Sequence, residues 1–191
     1  MTRHTDLSDE DGFIPPHGGY RALLSYQRAT VVYDATVRFC TRCFHPRDRT
    51  VDQMVQAARS GKQNIIEASM ASGTSKEMEI KLTNVARASL EELLEDYRDY
   101  LRVRDIEEWH RNHPFARRLS ELVRTPGANY STFRKAVEHP DPAVSANAII
   151  GLIKVTSVLL DRQIKRLERD FIRDGGLRER MTRARVRQRG H

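Results

Sequence analysis

Residues 141–176 read DPAVSANAIIGLIKVTSVLLDRQIKRLERDFIRDGG, and this stretch decides the fold. Asp141 can cap a helix N-terminus, because its carboxylate accepts from a backbone amide that would otherwise have no partner. Pro142 fits the first helical position, where no amide hydrogen is needed. Ile150, Ile153, Ser157, Leu160, Ile164, Leu167 and Phe171 recur at alternating spacings of three and four, the pattern of a helix seated in a bundle seam. Gly175-Gly176 ends it. A helix over 142–174 would be about 50 Å long at ~1.5 Å per residue. Its basic C-terminal turns are expected to project beyond shorter neighbours or to meet another copy.

The same periodicity recurs three times upstream. A first helix is predicted from Tyr20 to Phe44 on the seam Leu23, Tyr26, Thr30, Tyr33, Val37, Cys40 and Phe44, stopped by Pro46. A second opens on Thr50-Val51-Asp52-Gln53, which reads as a capping box. Its seam is Val51, Met54, Ala58, Gly61, Ile65, Ala68 and Ser72, and Gly73 is a C-cap candidate. Gly61 costs about 1 kcal/mol relative to Ala in a helix, so it implies a close contact or a kink. A third follows at Thr74-Ser75-Lys76-Glu77, with Met78, Leu82, Val85, Ala86, Leu90, Leu93, Leu94, Tyr97 and Leu101 apolar. Its opposite face carries Glu91, Glu92, Glu95, Asp96 and Asp99. The turn between the second and third helices is short, so they are antiparallel neighbours.

Four long amphipathic helices without a strand pattern predict an all-α, antiparallel up-down four-helix bundle. The expected organisation is a disordered segment over 1–19, a bundle over 20–174 and an Arg-rich tail over 175–191. The connection over 105–140 reads as long and irregular, with a helix near Phe115 to Arg124 and another turn near Tyr130 to Val137. Connections of that length are often functional.

Charge is distributed unevenly. The 191 residues carry 33 Lys and Arg against 26 Asp and Glu, a net charge of +7. Residues 162–191 hold Arg162, Lys165, Arg166, Arg169, Arg173, Arg178, Arg180, Arg183, Arg185, Arg187 and Arg189 against four acids. The whole excess therefore lies in the last 30 residues. Guanidinium groups pair with phosphates and release condensed counterions, which gives salt-sensitive, sequence-blind binding. These eleven side chains are the candidate nucleic-acid contacts, RNA or DNA. The competing reading is a solvated tail that aids solubility. Leu177, Met181 and Val186 supply too little apolar surface for membrane attachment.

The other constellations are weaker. Trp109, Phe115, Tyr130 and Phe133 lie among Arg117, Arg118, Arg134 and Lys135. Such aromatics can stack on bases, but a long connection also needs anchors, and anchoring is the favoured reading. Cys40-x-x-Cys43 with His110 and His113 has no finger spacing, so no metal and no cofactor are assigned. Glu107-x-x-His110 is half of a di-iron motif with no second half. No phosphate-binding or dinucleotide glycine fingerprint occurs, and no enzymatic activity is assigned. Two cysteines cannot build a disulfide framework, which points to a reducing cytoplasmic setting. No run approaches ~18 consecutive apolar residues, so no membrane span is expected.

Asn64-Ile65-Ile66-Glu67-Ala68-Ser69, then Ser75-Lys76-Glu77, then Ala86-Arg87-Ala88-Ser89-Leu90-Glu91-Glu92-Leu93 resembles the four-helix-bundle proteins named after 23S rRNA intervening sequences, most closely the four-helix-bundle suffix subgroup. Ala68 and Ala88 stand where that family usually has Gly. The resemblance covers residues 20–103 and, more weakly, 142–172. It implies a non-enzymatic bundle in which Asn64, Glu67, Ser89 and Glu92 make structural or interface contacts. A more distant similarity to the accessory proteins of diversity-generating retroelements implies a homo-oligomer, a pentamer in those relatives, with nucleic acid and a reverse transcriptase as partners.

Overall fold

The structure is a computed structural model that describes residues 14, 16–125 and 127–189, without the side chains of residues 187 and 188. Most of the segment expected to be disordered lies outside the described residues. Its end is held, because the Gly18 amide donates to the Ser69 carbonyl (3.1 Å).

A 3₁₀ turn at Tyr20–Ala22 leads into α1 (Leu24–Cys43), α2 (Arg49–Ala71), α3 (Lys76–Arg102), α4 (Pro114–Arg124), α5 (Tyr130–Val137), α6 (Pro142–Asp174) and α7 (Leu177–Arg189). The chain is all-helical, and the described residues contain no strand. Local chemistry sets the boundaries. Asp141 caps α6 by accepting from the Ala143 amide (2.8 Å), and Gly175 ends it at φ +69°, a conformation that favours glycine. The α2 cap is Asp48, accepting from Thr50 (2.9 Å), so α2 starts just ahead of the expected capping box. Ser75, not Thr74, caps α3, accepting from Met78 (3.1 Å).

α1 packs against α2 and α6, and α3 also packs against α2 and α6. Ser25, at the start of α1, donates to Gln163, two-thirds of the way along α6 (2.7 Å). Arg42, at the other end of α1, donates to the His139 carbonyl just ahead of α6 (2.6 Å). Between α2 and α3 the closest approach is at Gly61, where a Cβ would lie 2.8 Å from the Leu90 side chain. Glycine is there for the close contact. Among these four helices, α6 holds an 18-residue window of mean hydropathy 1.8, apolar enough by composition to cross a membrane, of which 61% is buried in this chain. It serves here as the core helix.

Three expectations need correction. The 105–140 connection is less irregular than expected: the helix foreseen near Phe115 to Arg124 is α4, and the turn foreseen near Tyr130 to Val137 is the helix α5. The two, joined by residues 125–129 and here called the hairpin, fold back with α4 on α6 and α5 on both α6 and α1. The predicted α1 seam marks only the edge of the buried face: Cys40 is buried and Leu23, Tyr26, Tyr33 and Phe44 pack partly buried against the core, but the centre of the face carries Ala29, Val32, Ala35, Thr36 and Phe39. The end of α6 does not stand clear of its neighbours, because Gly176 lies beside Glu77 at the start of α3.

The hairpin is fastened by polar side chains. Arg28 of α1, fully buried, donates to the carbonyls of Val123 (2.7 Å), Thr125 (2.8 Å) and Ala128. Val123 and Thr125 stand where α4 ends and Ala128 in the turn that follows, and the Thr125 carbonyl also accepts from the Ala128 amide (3.3 Å), so one guanidinium of α1 ties down the end of α4 and the turn after it. Burial lowers the Arg28 pKa. The segment before α4 is held by Asn147, whose side chain donates to the Glu107 carbonyl (3.1 Å) and accepts from the Trp109 amide (2.7 Å). Glu108 receives Lys154 and Arg98 (3.1 Å). Burial pushes its carboxyl up, but these two cations outweigh burial and hold it below the usual range.

Candidate nucleic-acid interface

The eleven bases near the C-terminus do not act as one set. On α6, Arg162, Arg166, Arg169 and Arg173 follow at steps of four, three and four, with Lys165 on their flank. They form one stripe about 16 Å long at ~1.5 Å per residue, and all five side chains are exposed. The stripe continues a face whose first half is covered. Val144, Ala148 and Gly151 lie on the same side of α6, under the α4–α5 hairpin, and a Cβ at Gly151 would lie 2.5 Å from Leu119 of α4. One face of one helix is thus apolar and roofed along its first half, basic and bare along its second.

Electrostatics divides the stripe further. Arg173 is taken up by Asp170 (3.1 Å) and Asp174 (2.8 Å), and its hydrogen bond holds the Asp174 carboxyl below the usual range. Arg162, Lys165, Arg166 and Arg169 have no ion pair among the described residues. Beside them opens a groove lined by Leu23, Ser25, Leu159, Arg162, Gln163 and Arg166, where α1 begins.

The part expected as an arm is the helix α7. Its start is fixed by Glu179, which accepts from the Gly176 amide (2.9 Å). Arg180 donates to the Gly73 carbonyl in the α2–α3 turn (3.4 Å), and Arg183 donates to the Asp174 carbonyl. Both are spent on seating α7. Arg178, Arg185 and Arg189 share the opposite, exposed side. The side chain of Arg187 lies outside the described residues. Among the described side chains, seven bases therefore remain available to a phosphate chain: four on α6 and three on α7.

The four family-motif residues are only partly brought together. Asn64 donates to the Ser60 carbonyl (2.9 Å) and hydroxyl (3.1 Å), and Ser60 meets Ser89 across the α2–α3 contact (2.9 Å). Glu67 is exposed elsewhere. Glu92 lines a groove with Asp52, Gln53 and Asp96, where burial and then repulsion from Asp99 and Glu92 raise the Asp96 carboxyl.

The cysteines and histidines do not converge. Cys40 is buried with its sulfur 3.9 Å from that of Met54, and burial pushes its thiol up to about 12. His113 stacks on Trp109 with ring centroids 4.7 Å apart. Among the described residues no group of three or more His, Cys, Asp or Glu could hold a metal ion. The aromatics of 105–140 separate as well. Phe133 is core and Tyr130 donates to Glu138 (2.7 Å), whereas Trp109 and Phe115 line a pocket. Sequence patterning missed Arg28 and Asn147, because a lone polar residue inside a helical period carries no sign of what will pack over it.

No protein-family model, curated protein or solved structure matches this chain.

Proposed function

We propose that this chain is a non-enzymatic, homo-oligomeric protein that binds nucleic acid, RNA or DNA, along the outer side of α6 and α7. The observation that carries this reading is the bare second half of the α6 outer face, with four unpaired cations in one stripe. Unpaired, exposed guanidinium groups in a row match the spacing of charge along a phosphate backbone and need no base readout. On this reading α1, α2, α3 and α6 form an antiparallel up-down four-helix bundle. The pairwise contacts of these helices and the Ser60–Ser89 bond support it, as does the resemblance to the intervening-sequence family. That resemblance also supports a cytoplasmic accessory of a nucleic-acid enzyme such as a reverse transcriptase, assembled as a pentamer.

The test is fluorescence anisotropy with labelled single-stranded and duplex oligonucleotides at several salt concentrations. The triple variant Arg162→Gln, Arg166→Gln, Arg169→Gln is compared with the parent and with a chain ending at residue 174. Losing three phosphate contacts on duplex DNA should flatten the log–log salt slope by about 2–3. Unchanged affinity and slope in the triple variant, with an unchanged circular dichroism spectrum, would refute the stripe as the interface.

A second reading has its own observation. The groove of Asp52, Glu92 and Asp96 between α2 and α3 is acidic and open, and suits a basic surface on a protein partner. A pull-down that survives nuclease treatment and is lost in Asp52→Asn, Glu92→Gln would favour this scaffold role.

A further inference from the structure

Under the hairpin lies a pocket unrelated to the basic stripe. It has a volume of about 260 Å³. Its floor is Val144 and Ala148 of α6, its sides are Leu119 and Leu122 of α4 and Ala136 of α5, and its mouth is walled by Trp109 and Phe115. Phe115 is 61% exposed, a large aromatic surface left in water although it borders an apolar hollow. The remaining lining residues, Arg118, Lys135 and His139, line it almost wholly with the apolar parts of their side chains, so charge is available only at the rim, and no carboxylate lines the pocket. Arg118 has a loose, exposed contact with Glu121 (3.5 Å), and Lys135 has no ion pair among the described residues.

We infer that this pocket binds an anionic amphiphile: an unbranched acyl chain of medium length, seated between α4, α5 and α6, with its carboxylate at the rim beside Arg118, Lys135 and His139. Comparing six- and ten-carbon chains fixes the length. The wall offers an inserted nucleobase almost nothing to hydrogen-bond, and a buried unpaired base edge is costly. An alkyl chain makes no such demand. The basic rim faces a headgroup of the opposite sign, and an apolar hollow with a few convergent polar groups is the usual form of a small-molecule site. The inference is independent of nucleic-acid binding, because it uses none of the α6 or α7 bases.

Trp109 is the sole tryptophan and lines the pocket, so its emission reports occupancy. The full chain is titrated with decanoate, hexanoate, decanol and decyltrimethylammonium, by fluorescence and by calorimetry. Decanoate should bind and shift Trp109 emission. Hexanoate, four methylenes shorter, should bind roughly a hundredfold more weakly. Decanol and the cationic amphiphile should bind at least tenfold more weakly than decanoate. Lys135→Glu with Arg118→Glu should remove that preference for the carboxylate. Phe115→Ser, at an exposed position, and Ala148→Leu, which fills the floor, should each weaken decanoate by tenfold or more. Equal binding of decanoate and decanol, or decanoate binding indifferent to both pocket variants, overturns the proposal. So does a Trp109 emission that shifts on dilution without ligand, which would assign the pocket to a second copy of the chain.

Discussion

The hairpin of α4 and α5 depends on one buried cation, and this leads to a sharp prediction. In Arg28→Met the aliphatic stem is largely kept and the guanidinium is lost. Three carbonyls at the end of α4 and in the turn beyond it, those of Val123, Thr125 and Ala128, then lose the guanidinium donor, Thr125 keeping only the Ala128 amide. Hydrogen bonds from a charged donor contribute ~1.5–3 kcal/mol each, so the gross loss is roughly 4–9 kcal/mol. Against this, the cation is fully buried with no carboxylate partner. Removing it recovers a desolvation penalty of several kcal/mol. The contact with the Phe133 ring (5.9 Å to the centroid) adds about 1 kcal/mol to the loss. The balance is a net destabilisation of about 2–4 kcal/mol, concentrated in α4 and α5.

That localisation is what the assay reads. Urea unfolding of the parent should give coincident transitions by Trp109 fluorescence and by far-ultraviolet circular dichroism. In Arg28→Met the fluorescence transition should come first, because Trp109 reports the hairpin and the dichroism is dominated by the longer helices. Hydrogen exchange should quicken at the Thr125 and Ala128 amides before it quickens in α3 or α6. Arg28→Lys should rescue little, since a compact ammonium cannot span three acceptors arranged for a planar fork. If Arg28→Met is as stable as the parent, with coincident transitions, the guanidinium contributes nothing net and the capping argument is wrong.

Three other substitutions test separate contacts. Gly61→Ala puts a methyl 2.8 Å from the buried Leu90; overpacking of ~1–3 kcal/mol should exceed the gain of about 1 kcal/mol in helix propensity, and a higher urea midpoint would show that α2 and α3 can part. Asp96→Asn should stabilise at pH 7. A carboxyl raised by burial and by Asp99 and Glu92 costs stability when ionised, so the gap should close as pH falls below the ordinary Asp value of ~3.9, and a variant less stable at neutral pH would contradict the assignment. Glu108→Gln works in the opposite sense. Its carboxyl is held low by Lys154 and Arg98 against burial, so the stability it adds is present above ~4.3 and lost as pH falls through the folded-state value. The variant should cost about 1 kcal/mol at pH 7, since the pair is partly exposed, and progressively less as pH falls below ~4.3, read by thermal melts.

The helices were readable because each carries its own period and its own stop signals. Asp141-Pro142 and Gly175 bound α6 in the sequence as in the structure. The faces were less readable. On α1 the tyrosines sit at the edge of the core, where Tyr26 also stands beside Tyr20 (4.9 Å between centroids) and Tyr33 lies under the Lys62 ammonium (4.1 Å). The centre of the buried face mixes Val32 and Phe39 with Ala29, Ala35 and the charged Arg28, and the last three are small or polar residues that hydropathy discounts. α1 touches α2, α5 and α6, so it buries a wide face that a seam of threes and fours cannot describe. The interface was legible as charge but not as shape. A count located eleven bases; only packing could separate four that are free on α6 from Arg173, tied to two aspartates, and from Arg180 and Arg183, used to seat α7. The pocket was not legible, since its lining comes from four segments brought together by the hairpin.

Part of the stripe has an explanation that needs no ligand. Cations near a helix C-terminus are favoured by the helix dipole, and Arg169 and Arg173 lie in or next to the last turn of α6. That effect fades within about one turn. Arg162, Lys165 and Arg166 lie eight to twelve residues from Asp174, two to three turns away at ~3.6 residues per turn, so the dipole does not account for them. Chain length does explain why they are bare. α1 has 20 residues and α6 has 33, and α1 begins level with Gln163, as the Ser25 bond shows. Arg162 and Arg166 border the groove where α1 begins, and beyond that level α6 runs on past the start of α1. Solvation alone would be served by any polar residues there, and mutually repelling cations four apart cost a few tenths of a kcal/mol per pair. Four such cations without acidic partners among the described residues are the ones the proposed phosphate contacts would use, and the triple variant decides between that reading and plain solvation.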